Sequence, residues 1–134
     1  MKHTLWIAVL TSTLLMASTS KLDDKTGLIW EDDQNVSQNS FTFDEANTYC
    51  QDLKVDGFED WRLPTIREAY TIVDLTRNRP ALKNGFTVRD DGRYWTSTLF
   101  AKDSKKMAWY ISFSYGEAEP YKKSRLYHVR CVRK

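Results

Sequence analysis

Residues 91–98 read Asp91-Gly92-Arg93-Tyr94-Trp95-Thr96-Ser97-Thr98. Asp-Gly is a turn signal, and the residues that follow from Tyr94 have the composition of a strand. The apolar spacing changes here from helical to alternating. On the C-terminal side, residues 107–114 alternate, with Trp109, Ile111 and Phe113 on one face. A turn is expected over residues 115–120, then a last strand in which Tyr127, Val129 and Cys131 share a face. On the N-terminal side, Thr65 and Glu68 have capping-box spacing, which predicts a helix through about Leu75 with Ile66, Tyr70 and Val73 buried. Pro80 stops its continuation. Trp61-Arg62-Leu63-Pro64 is extended, because a residue before proline avoids helical torsions. Thr42 and Glu45 repeat the capping box, and Phe41 can staple onto Ala46. That helix places Phe43, Ala46, Tyr49, Cys50 and Leu53 on one face, and Gly57 ends its region. Thr26-Gly27-Leu28-Ile29-Trp30 reads as a short strand, and residues 31–40 as a polar loop. Two early helices and a late antiparallel sheet make the fold class α+β.

The chain has 134 residues with 41% hydrophobic and 28% charged, an ordinary globular composition. Lys2, the apolar stretch from Leu5 to Leu10, Leu14-Leu15-Met16-Ala17 and the small residues Ser18-Thr19-Ser20 follow the order of a signal peptide. Residues 1–20 are therefore expected to leave, and residues 21–134 to form a single domain. The apolar run is too short and too interrupted for a span of roughly 20 residues, so no stable membrane insertion is expected after cleavage. The expected location is periplasmic or secreted. A net charge of +2 is too small to draw the protein onto nucleic acid.

Export allows a disulfide, and Cys50 and Cys131 have one intramolecular pairing open to them. The bridge would close about 80 residues and stabilise by roughly 4 kcal/mol in the loop-entropy account. A cysteine nucleophile would need a base beside it. His128 is three residues from Cys131, an odd spacing that sends the two side chains to opposite faces of a strand.

These residues together resemble a bacterial family, the Lcl C-terminal domain, catalogued as a domain of unknown function. The marks are Thr26-Gly27-Leu28-Ile29-Trp30, Asp60-Trp61-Arg62-Leu63-Pro64-Thr65 leading to Glu68, Tyr94-Trp95-Thr96-Ser97-Thr98, Ala108-Trp109-Tyr110 and Val129-Arg130-Cys131-Val132-Arg133. The family looks like a distant relative of C-type lectin-like domains, which implies two helices, a small sheet and a disulfide from the first helix to the last strand. Its best-known member ends a collagen-like adhesin that binds sulfated polysaccharides, which implies adhesion to anionic glycan. This chain has no Gly-X-Y stalk.

Calcium-dependent sugar binding needs convergent oxygen ligands. Lectins of that type carry Glu-Pro-Asn and Trp-Asn-Asp, whereas Glu119-Pro120 here precedes Tyr121. Asp32-Asp33 and Asp90-Asp91 read as loop and turn chemistry, so no metal and no cofactor are expected. Trp61-Arg62-Leu63-Pro64-Thr65 also resembles part of the formylglycine-generating enzymes. That activity needs reactive thiols, which the disulfide removes. The residues themselves read as core (Trp61, Leu63), a helix cap (Thr65) and an arginine paired with a carboxylate (Arg62). One histidine after the leader, no Gly-x-Ser-x-Gly elbow and no phosphate-cradling glycine loop leave no catalytic constellation.

Charge is the positive signal. Residues 102–134 hold nine Lys and Arg against three Asp and Glu, whereas residues 21–101 hold ten against fifteen. If the last two strands form a hairpin, Lys102, Lys105, Lys106, Arg133 and Lys134 gather at one end. Lys122, Lys123 and Arg125 then fall at the other end, near Glu117 and Glu119. Five cations opposed by Asp103 alone could hold sulfates or phosphates through charge-assisted hydrogen bonds. Asn35-Val36-Ser37 is a glycosylation triplet, with Asp33 two residues before Asn35. The expected function is an exported, non-catalytic module that binds anionic polysaccharide or envelope glycan. The alternative is a structural or interaction domain that binds a surface protein.

Overall fold

The computed structural model describes residues 4, 6–9 and 19–134, so most of the expected leader lies outside the described residues. The elements run Ser20–Leu22 (β1), Ile29–Glu31 (β2), Asn35–Gln38 (α1), Phe43–Asp52 (α2), Ile66–Tyr70 (α3) and Arg93–Leu99 (β3). They continue with a 3₁₀ turn at Ala101–Asp103, Met107–Ser112 (β4), Glu117–Lys122 (β5) and Val132–Arg133 (β6). Two three-stranded antiparallel sheets result, in the orders β1-β2-β6 and β3-β4-β5. Ser20, read from sequence as the end of the leader, is the first residue of β1 and pairs with Glu31.

Both capping boxes form. The Glu45 N–H donates to Thr42 Oγ1 at 3.4 Å while the Thr42 N–H donates to Glu45 Oε1 at 2.9 Å. In α3 the corresponding Thr65 and Glu68 bonds are 3.1 and 2.9 Å. Thr98 in β3 accepts the free Ile66 N–H at 2.9 Å, which docks the start of α3 onto the sheet. The helix stops at Tyr70 rather than near Leu75. Thr71-Ile72-Val73 is a β-branched run that loses side-chain freedom in a helix, and Val73 instead makes a bridge to Leu82. Ala69 and Ile72 are the fully buried residues of this segment, whereas Tyr70 is 46% exposed. The polar stretch 31–40 is no simple loop either, since α1 anchors it by burying Val36 completely.

The β3-β4-β5 sheet has core on both faces. Tyr94, Ile111 and Phe113 enter one cluster with Trp30, Val36, Ala69, Ile72 and Val132. Trp95, Ala108 and Tyr110 enter the other with Phe43, Ala46, Cys50, Trp61, Leu63 and Tyr127. Ile111 and Phe113 thus behave as the alternation predicts, but Trp109 is half-buried against Phe100 and its neighbours Ala108 and Tyr110 are buried too. Trp95 shows how the second core closes. Its ring meets Phe43 edge-on at 5.7 Å, and its Nε1–H donates to the Phe41 carbonyl at 2.9 Å. The Cys50–Cys131 disulfide joins α2 to the chain just before β6, with Cα atoms 5.6 Å apart and both residues fully buried.

The expected turn over residues 115–120 lies earlier in the chain. Gly116, at φ 77°, returns its N–H to the Ser112 carbonyl at 2.9 Å. Only glycine adopts that torsion without cost. Glu117–Lys122 is therefore a strand, in register from Ser112↔Glu117 to Met107↔Lys122. Pro120 reads as a turn former, but β5 is an edge strand, where a missing N–H costs no ladder bond. The last strand is not the hairpin partner of β4, because β6 pairs with β2 in the other sheet.

Candidate functional site

The register of β4 against β5 gathers the cations. Lys106 precedes β4 and Lys122 ends β5, and the Lys123 N–H donates to the Lys106 carbonyl at 2.9 Å. Lys123 Nζ donates to the Ser104 carbonyl at 2.9 Å and lies 4.8 Å from the centre of the Phe43 ring. Arg125 closes a turn onto the Lys122 carbonyl and stacks its guanidinium 5.2 Å from the Tyr121 ring. The 3₁₀ turn carries Lys102 to the same end of the hairpin. Asp103, Lys106, Met107, Lys122, Lys123 and Ser124 line a cavity of about 460 Å³.

Lys102, Lys105, Lys106, Lys122 and Arg125 are exposed and Lys123 is half-buried. None of the six forms an ion pair among the described residues. Asp103 is the one carboxylate lining the cavity. Unpaired ammonium and guanidinium groups around a cavity can donate charge-assisted hydrogen bonds to sulfate, phosphate or carboxylate oxygens.

The five-cation cluster expected from sequence is thus divided. Lys102, Lys105 and Lys106 stand at this edge, but Arg133 and Lys134 leave with the other sheet. Arg133 is already engaged: Nε and Nη2 donate to the Asp60 carboxylate at 2.5 and 3.0 Å, and its guanidinium lies 3.8 Å from the Phe58 ring centre. That bond holds the Asp60 carboxyl below its ordinary range. Lys122, Lys123 and Arg125 take the vacated places. The hairpin turn, moved from residues 115–120 to Gly116, brings Lys122 to this end, and the pairing of β6 with β2 takes Arg133 away. Glu117, expected beside Lys122, sits at the opposite end of β5 against Ser112. Glu119 accepts the Tyr110 hydroxyl at 3.0 Å. Asn35 is exposed at the start of α1, where its Oδ1 accepts from Asn39 Nδ2 at 3.2 Å.

Arg62 makes a two-point contact with Glu68, at 2.6 and 2.8 Å, and this arginine holds the Glu68 carboxyl below its ordinary range. Trp61 and Leu63 are buried, each 3% exposed, and Thr65 caps α3. The distinctive motif is therefore an architectural one.

A buried polar ladder escaped the sequence reading. Glu31 is fully buried, accepting from the Tyr49 hydroxyl and the Cys131 N–H, and burial pushes its carboxyl up to about 8. Asp32 accepts from the Thr87 and Val88 N–H groups at 2.7 and 2.9 Å and pairs with the buried Arg130 at 3.2 Å. The signal available was the acidic run Glu31-Asp32-Asp33 directly after an apolar strand. Asp90 accepts from Tyr94 and Gly92, as turn chemistry requires. Among the described residues no three His, Cys, Asp or Glu side chains are grouped to hold a metal ion.

None of the curated proteins compared with this chain matches it. The family model of the Lcl C-terminal domain matches residues 20–133, which takes in every strand and helix described above, and the chain belongs to that family.

Proposed function

We propose that this domain is an exported, non-catalytic binding module of C-type lectin-like type, which takes anionic, sulfated polysaccharide or envelope glycan on the basic edge of its β4–β5 hairpin. The observation that carries this reading is a cavity lined by Lys106, Lys122 and Lys123, with Lys102, Lys105 and Arg125 on the same hairpin edge, and none of the six in an ion pair among the described residues. Arg62, Arg130 and Arg133, elsewhere in the molecule, are by contrast bonded to carboxylates. The helix-to-last-strand disulfide and the order of two capped helices before the sheet support the lectin-like assignment. A disulfide also suits an oxidising compartment, the periplasm or the exterior.

The test is retention of the oxidised protein on immobilised heparin across a salt gradient. A Lys102→Glu, Lys105→Glu, Lys106→Glu, Lys122→Glu variant runs beside it, its fold checked by thermal melting. Those four side chains are exposed and make no bond that the fold requires. Retention that weakens with salt and disappears in the variant is the expected result. A native protein that passes through at low salt overturns the reading and leaves the alternative of a surface-protein partner.

A further inference from the structure

The outer face of α2 is acidic. Asp44, Glu45, Thr48 and Asp52 are exposed, and none of the three carboxylates is in an ion pair among the described residues. Together with Phe41 and Tyr49 they line an open groove of about 560 Å³. Its floor is aromatic, because the half-buried Phe41 and Tyr49 stack with ring centres 4.9 Å apart. The Tyr49 hydroxyl donates inward to the buried Glu31, which leaves the ring to line the groove.

Ring faces attract cations, and carboxylates at the rim add to that attraction. A lysine side chain matches both parts, since its apolar stem covers the rings while its ammonium stays at the wet rim. The chain carries such side chains itself. Lys102, Lys105, Lys106 and Lys122 are exposed at the end of the β4–β5 hairpin and in no ion pair among the described residues. The acidic groove and the basic edge also share a border. The N–H of Phe43, the first residue of α2, donates to the Lys123 carbonyl at 3.0 Å, and Lys123 Nζ lies 4.8 Å from the Phe43 ring centre. Opposite charges on the two sides of this seam make the surface complementary to its own copy turned about a two-fold axis along the seam. A single exposed ion pair contributes little, but that symmetry makes every contact twice, and the aromatic floor buries lysine stems.

We propose that two copies of this domain associate through this surface, the basic hairpin edge of each seated on the α2 groove of the other. The inference uses the hairpin cations but does not rest on the glycan reading, in which the α2 groove has no part.

The experiment is sedimentation equilibrium of the oxidised protein at about 0.01 M and about 1 M salt, where charges are screened beyond about 30 Å and about 3 Å. The average mass should approach twice the monomer's at low salt and return to the monomer's at high salt. The Lys102→Glu, Lys105→Glu, Lys106→Glu, Lys122→Glu variant and an Asp44→Lys, Asp52→Lys variant should each stay monomeric, with their folds checked by thermal melting. Glu45 is left in place because it caps α2. Mixed in equal amounts, the two variants should restore the dimer. The acidic edge of one then meets the basic groove of the other, and the second contact keeps the native pairing. Asp44→Asn, Asp52→Asn, which keeps side-chain size, should weaken association in the same direction. A native protein that is monomeric at low salt overturns the proposal. So does a dimer that persists in either charge-reversed variant, or folded variants that remain monomeric when mixed. Heparin retention is read separately on the Asp44→Lys, Asp52→Lys variant, which keeps every hairpin cation, so failure of one reading leaves the other standing.

Discussion

The Tyr49 hydroxyl, on α2, donates to Oε2 of Glu31 at the end of β2, 2.5 Å away. The Cys131 N–H donates to the other carboxyl oxygen at 3.2 Å. Both bonds favour the carboxylate, yet burial outweighs them, the charge of Asp33 adds to it, and the carboxyl is pushed up to about 8. The same burial, with Glu31 alongside, pushes the Tyr49 hydroxyl above its ordinary range.

Folding therefore takes up a proton at Glu31 between about pH 4.5 and 8. Its contribution to stability is full below that window and declines as pH rises through it. Glu45, Asp60, Glu68 and Asp74 are held below their ordinary range and titrate beneath this window. The unfolding free energy from urea titration should fall from pH 5 to pH 8.5, with a slope of at most about 1.4 kcal/mol per pH unit. Glu31→Gln should flatten most of that slope. A native protein with level midpoints across the range would contradict the assignment.

Asp32 and Arg130 form a buried pair, and each keeps two backbone bonds if the other is lost. Removing Asp32 leaves the buried Arg130 cation unpaired and also takes the acceptor from the Thr87 and Val88 N–H groups, whereas Arg130→Met fills the space with an apolar side chain. Asp32→Ala should cost about 3–5 kcal/mol in urea unfolding, and Arg130→Met less. The reverse order would show that the carboxylate, not the guanidinium, is the costlier group to strand.

The two capping boxes are separate in space and sequence. Thr42→Ala and Thr65→Ala should each cost about 1 kcal/mol and add in the double variant. Glu68 serves both the α3 cap and Arg62, so Glu68→Gln should weaken the helix start and the Arg62 contact together.

Arg133 separates architecture from binding. Arg133→Ala should lower the melting temperature, through loss of its Phe58 and Asp60 contacts, and leave heparin elution where it was. Lys122→Glu should do the opposite. Earlier elution of Arg133→Ala would move the anion site to the β1-β2-β6 sheet.

The disulfide closes a span of 81 residues. Replacing both Cys50 and Cys131 by alanine should cost roughly 4 kcal/mol in the loop-entropy account. Calorimetry or urea unfolding of the variant measures it directly.

The chain's own letters determined whatever depends on neighbours a few residues apart. Both capping boxes, the helix face that carries Phe43, Ala46 and Cys50, the strand at Tyr94, and the roles of Trp61, Arg62, Leu63 and Thr65 all follow from local spacing. The family was legible for the same reason, since its motifs are short and ordered. Tertiary structure decided where strands of equal quality pair. Pro120 looks like a turn until β5 is known to be an edge, and Val132 could join either sheet until Arg62 and β2 claim it. The candidate site depends on that choice. The turn at Gly116 brings in Lys122, Lys123 and Arg125, and the pairing of β6 with β2 removes Arg133 and Lys134. Register is a long-range property, set by which pairing buries most apolar surface on both faces of the sheet at once, and no local spacing encodes it.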